Sequence, residues 1–87
     1  MSDKLEFFFH DDGGHAWLEV ELNSLKVLGI ANKISRYSYL RNGIAYLEED
    51  CDAPIFINEL KSRGQNFQIY DNYNPNTPIR NYPRYEL

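Results

Sequence analysis

The chain has 87 residues, of which 43% are hydrophobic and 15% aromatic, and its formal net charge is -4. That composition excludes a disordered chain and fits one small domain. The acidic balance argues against nucleic acid or an anionic membrane as the main partner, because phosphate binding needs clustered Lys and Arg.

No apolar run approaches the roughly 18 residues of a membrane span. The start, Met1-Ser2-Asp3-Lys4-Leu5, has no basic stretch leading into a long apolar one, so no signal peptide is expected. The single cysteine, Cys51, allows no internal disulfide and fits a reducing cytoplasm.

Leu5 to His10 is strand-like and rich in Phe. His15 to Glu21 alternates apolar and polar residues, the pattern of a half-buried strand. Asp12-Gly13 between them signals a tight hairpin turn. That turn sets His10 opposite His15, Phe9 opposite Ala16 and Phe8 opposite Trp17. Leu5, Phe7, Phe9, Ala16, Leu18 and Val20 then share one face, and Glu6, Phe8, His10, His15, Trp17 and Glu19 share the other.

Asn23 is the expected N-cap of a helix over 24–28, with Gly29 as its stop. Residues 30–35 read as a loop or a further helical turn. Asn42-Gly43 predicts a second hairpin, pairing Leu40 with Ala45, Tyr39 with Tyr46, Ser38 with Leu47 and Tyr37 with Glu48. Asp52 is the expected cap of a second helix, with Pro54 in its first turn and Gly64 at its end. Phe67 to Tyr70 reads as the last strand.

Residues 1–71 therefore read as a single α+β domain: an antiparallel sheet in the order ββαββαβ, with two short helices on one face. Residues 72–87 are rich in Pro, Asn and Tyr. The prolines resist regular pairing, so this stretch reads as an extended C-terminal arm.

With the helices on the aliphatic face, the other face is left aromatic. Trp17, Tyr37, Tyr39 and Tyr46 are candidate anchors for a protein partner, with Glu48, Glu49 and Asp50 as an acidic rim. The competing reading is that Ile79, Tyr82 and Tyr85 of the arm fold back over this face. A sheet that stacks single-stranded nucleic acid is a weaker alternative, because it requires another element order and more basic residues.

His10 and His15, with Asp12 from the turn, form a candidate divalent-metal site or small hydrolase centre, since the Cβ atoms of directly opposed cross-strand residues lie about 5 Å apart. The ordinary alternative is a polar turn with half-exposed histidines. Cys51 lies among four carboxylates, which oppose thiolate formation. It therefore reads as a buried structural thiol rather than a nucleophile.

Three stretches carry a resemblance. They are His10-Asp11-x-Gly13-x-x-x-Trp17-Leu18-x-Val20, then Leu28-Gly29-Ile30-Ala31-x-Lys33-Ile34-Ser35-x-Tyr37-Ser38-Tyr39, and Tyr46-Leu47-Glu48-Glu49-Asp50-Cys51-Asp52. Together they resemble a group of small proteins that recur in bacteria and in phage or plasmid genomes. The likeness runs on to Pro78-Ile79-Arg80 and Tyr85. Similar sequences carry His-Asp-Pro-Gly-His-Gly-Trp, where this chain has Asp12, Gly14 and Ala16.

The group brings no activity and no site residues with it. It implies a setting, an accessory gene of a mobile element, in which small proteins bind and block host proteins, defences included. The expectation is a cytoplasmic binding protein rather than an enzyme, with no cofactor.

Overall fold

The computed structural model describes residues 4–87. Met1 to Asp3, read above for a leader, lie outside the described residues. The elements are β1 (Leu5–Asp11), β2 (Ala16–Glu21), α1 (Leu22–Val27), a 3-10 turn (Ala31–Lys33), β3 (Tyr39–Arg41), β4 (Ile44–Glu48), α2 (Ala53–Ser62), β5 (Phe67–Tyr73) and a second 3-10 turn (Ile79–Asn81). The class is α+β, as expected.

The sheet is mixed, not antiparallel throughout, and its spatial order is β3-β4-β2-β1-β5. β1 and β4 both run antiparallel to β2, so they point the same way. α2 then carries the chain back across the sheet, and a helical crossover of this kind starts the next strand in the same direction. β5 therefore joins the free edge of β1 in parallel, from Leu5 opposite Phe67 to Asp11 opposite Tyr73.

The first hairpin also departs from expectation. His10 pairs with Trp17 and Phe9 with Leu18, so His10 and His15 do not face each other. The turn is centred on Gly13-Gly14, one residue late, which slips the register by two. The cause is local: the Asp11 carboxylate accepts the Gly13 N–H at 2.7 Å, and the Asp12 carboxylate accepts those of Gly14 and His15 at 2.9 and 2.8 Å. A slip of two leaves each side chain on its expected face.

The second hairpin follows its Asn-Gly signal. Tyr39 pairs with Tyr46 and Leu40 with Ala45, and Asn42 and Gly43 take the positive φ values, 53° and 79°, that this turn requires. Pairing stops at Tyr39. The Ser38 hydroxyl instead accepts the Glu48 N–H at 2.9 Å and donates to Asp52 at 2.5 Å.

Neither expected cap works as one. α1 starts at Leu22, straight out of β2, because the Leu22 N–H is held by the Gly43 carbonyl at 2.9 Å. Asn23 therefore lies inside the first turn. Asp52 does precede α2, but its carboxylate makes no cap bond. It is buried and accepts from the Ser35 N–H and hydroxyl, at 3.0 and 2.7 Å, as well as from Ser38.

Both helices cover the aliphatic face. Leu18, Val20, Ala45 and Leu47 are buried beneath Leu25 of α1 and Phe56 and Leu60 of α2. Full burial of the Leu, Val and Phe side chains among them is worth roughly 1.5–3 kcal/mol each. Among the described residues, no helix is long and apolar enough to cross a membrane.

The C-terminal arm is built into the fold. Ile79 packs on Trp17 and Tyr39 in a second core, with Tyr46 and Tyr82 alongside. The arm then runs along the outer edge of β3. The Leu40 N–H donates to the Pro83 carbonyl and the Tyr85 N–H to the Ser38 carbonyl, both at 2.9 Å, and Arg84 bridges Tyr39. Beyond that edge Tyr85 enters the aliphatic core, where its hydroxyl donates to the Ala31 carbonyl at 2.6 Å. One segment thus fastens both faces of the sheet.

Candidate functional site

The residues singled out in the sequence split three ways. Trp17 and Tyr39 are covered by the arm and only 3% and 7% exposed. Tyr46 is half-buried beside Tyr82, and burial followed by the Glu19 charge raises its phenol pKa. Tyr37, by contrast, is 66% exposed, just before the point where β3 begins.

The acidic segment divides in the same way. One Glu48 carboxylate oxygen accepts the N–H groups of Asp50 and Cys51 at 2.9 and 2.8 Å, which shapes the turn into α2. Glu49 and Asp50 point outward, exposed. The Glu49 carboxyl is raised above its ordinary value, first by partial desolvation and then by the charges of Asp50 and Glu48.

Cys51 is exposed rather than buried, which corrects the expectation above. Its thiol pKa is also raised, first by its hydrogen bond to Glu48 and then by desolvation. That environment disfavours the thiolate, the reverse of an activated nucleophile.

The histidines and Asp12 do not converge. His10 Nε2 lies 2.7 Å from Glu19 and Nδ1 lies 3.3 Å from the Asn72 amide, so both ring nitrogens have partners within the sheet. Asp12 is gripped by Arg80, whose Nε and Nη2 donate at 2.6 and 3.2 Å. This pair, with the two backbone N–H groups, holds the Asp12 carboxyl far below the usual carboxylate range. Among the described residues, no group of three or more His, Cys, Asp or Glu side chains is placed to hold a metal.

What the fold does assemble is a groove of about 390 Å³ where the first turn, the turn after β4 and the arm meet. Trp17, Tyr37, Tyr39, Glu48 and Asp50 all line it, as do His15 and Cys51. Arg80 lies over the Trp17 ring at 5.6 Å and Arg84 over the Tyr39 ring at 4.8 Å, and both complete the wall. Both guanidinium groups are also tied by hydrogen bonds, Arg80 to Asp12 and Arg84 Nη1 to the Arg36 carbonyl at 3.3 Å, so they stand as fixed walls over the rings.

The two arginines are not among the site residues expected from the sequence, where they stand out only as the basic residues of the C-terminal stretch. Their signal was present: Arg80 and Arg84 bracket Tyr82 in a stretch whose aromatic and apolar residues had to land on something. Tyr46 and Glu49 lie outside the groove.

A second cavity, of about 520 Å³, opens where β1 and β2 part. Their pairing ends at Phe9 and Leu18, although β1 continues beside β5 and β2 beside β4. Continued pairing would set Glu6 opposite Glu21, and like charges in that position are destabilising. The floor is apolar, with Phe7, Val20, Phe56 and Leu60, and no predicted site residue reaches it.

No protein-family model, no curated protein and no solved structure matches the chain.

Proposed function

We propose that the chain works by binding a protein, and that the partner sits in the groove beside the arm. The observation that supports this is convergence. Five residues picked out for interface chemistry come from three separate segments and meet in one groove, walled by two aromatic-stacked arginines. Tyr and Arg around a concave site, with acids at the rim, is the composition of an interface centre.

Trp17 and Tyr39 act as the fixed backing of the groove. Tyr37, Asp50 and Arg84, all exposed, are the contacting side chains. Glu49 adds negative charge beyond the rim. The resemblance to phage and plasmid proteins supports the setting: an accessory protein of a mobile element, in the host cytoplasm, that blocks a host protein such as a defence factor.

The test is capture of host proteins by the tagged full chain, compared among wild type, Tyr37→Ala and Asp50→Lys. Each variant should lose the same partner at least about tenfold, the scale of one interface hot spot. Each should melt within a few degrees of wild type. Unchanged capture by both variants would refute the groove as the binding site.

A further inference from the structure

We infer that the outer edge of β5 is a self-association edge, and that two copies of this chain join there into one continuous sheet. This concerns a different surface from the groove, and it stands or falls separately.

The two edges of the sheet are treated differently. The β3 edge is closed by the arm, through the Leu40, Tyr39 and Tyr85 contacts with its backbone. Among the described residues, the β5 edge carries no strand on its outer side. β5 is seven residues long, Phe67–Tyr73. Natural sheets usually blunt an edge of this length with proline, lysine or a bulge, and β5 holds none of the first two.

Which backbone groups face outward is settled by the pairing with β1. The Leu5 N–H donates to the Asn66 carbonyl, and the Asn74 N–H donates to the Asp11 carbonyl. Peptide groups alternate sides along a strand, so Asn66, Gln68, Tyr70, Asn72 and Asn74 turn theirs toward β1. Phe67, Ile69, Asp71 and Tyr73 turn theirs outward. The Ile69 carbonyl has one long contact, 3.4 Å from the Gln68 side-chain amide.

A second copy fits this pattern in one register. An antiparallel two-fold pair centred on Tyr70 sets Phe67 opposite Tyr73 and Ile69 opposite Asp71. All four outward residues of each copy then fall at hydrogen-bonded positions. Centring the axis on Asp71 would place two carboxylates face to face, which is unfavourable. Centring it on Ile69 would leave Tyr73 opposite Gln65, beyond the end of the strand.

The side chains agree with the Tyr70 register. Tyr70 falls at a non-hydrogen-bonded position, where side chains approach most closely. Phe8 and Tyr70 are 47% and 42% exposed and lie ring to ring at 5.7 Å. Neither belongs to the second core that the arm covers. Across the two-fold axis they become one aromatic row, Phe8 and Tyr70 of each copy, with Gln68 opposite Asn72. The only charged residue in β5, Asp71, faces Ile69 of the other copy rather than its own counterpart.

Sedimentation of the full chain at high micromolar concentration tests this. The expected mass is twice that of the chain, falling to the single-chain mass for Asp71→Pro, which removes one outward N–H and leaves the β1 pairing intact. A disulfide test guards against misfolding of that variant. In a Cys51→Ser background, Tyr70→Cys should oxidise to a covalent dimer, because the paired Cα atoms lie about 4.5 Å apart. Phe8→Cys, one strand further in, should not.

A wild-type chain that stays single at every concentration would overturn the inference. So would oxidation of Phe8→Cys as fast as Tyr70→Cys. Faster cross-linking of Asp71→Cys than of Tyr70→Cys would overturn the register.

Discussion

At the scale of single residues, the arm is held by a few specific contacts, each open to measurement. Arg80 grips Asp12, and the folded-state pKa of that carboxyl lies below its unfolded value. In the window between the two, the unfolded chain binds more protons, so stability rises with pH there. The contribution of the pair is complete above the ordinary carboxylate range, about pH 4, and declines as pH falls below it. Asp12→Asn should lower the melting temperature at pH 7 and flatten the acid limb of the stability curve. An acid limb identical to wild type would remove Asp12 from the account.

The buried Asp52 carboxylate is the other polar anchor. Ser38→Ala removes one of its hydrogen bonds and leaves the charge less well satisfied. The expected cost is about 1.5–3 kcal/mol, readable by urea unfolding. Asp52 was legible from the sequence as a residue at a helix start. Its partners, Ser35 and Ser38, were not, because capping is a local rule and this bond spans 14 to 17 residues.

At the scale of elements, the hairpins show where sequence signals succeed. Asn42-Gly43 fixed its own register because both residues accept positive φ at little cost. Asp12-Gly13 did not, because the turn holds two carboxylates and two glycines and the side chains chose the fold of the loop. The faces survived that slip, so the sheet's share of the aliphatic core was largely readable, whereas Ile30, Ala31, Ile34 and Tyr85 of that core were not and Leu5 is exposed. The arm was harder to place. Its apolar residues announced that they must bury somewhere, but contact with both sides of the sheet depends on β3 being an edge.

Two substitutions separate the sides of the arm. Ile79→Ala opens the second core and should cost about 2–5 kcal/mol. Tyr85→Phe keeps the ring and loses only the hydrogen bond to the Ala31 carbonyl, a cost of about 0.5–1.5 kcal/mol. Equal losses from both, measured by denaturant midpoint, would show that the arm does not pack as described.

At the scale of the whole molecule, a small chain gains a second core layer by laying its own C-terminal segment across the sheet. That closure turns an aromatic face into a groove. It buries Trp17 and Tyr39, which the sequence offered as contacts, and brings Arg80 and Arg84 into the wall. The direction of β5 follows from the helix that precedes it, but its place beside β1 was not legible, because it depends on how far α2 carries the chain and no short-range signal records that distance. The groove was legible in its parts and not as a whole, since its three walls meet only after the arm is in place.

Closure of the arm over the aromatic face is the claim on which the groove depends, and the chain's one tryptophan reports on it directly. Trp17 lies under Ile79 and Arg80. Its fluorescence should be blue-shifted and resist quenching by acrylamide in the native protein, with both properties lost on Ile79→Ala. A red-shifted emission that acrylamide quenches freely in the native chain would show an open face and contradict the account.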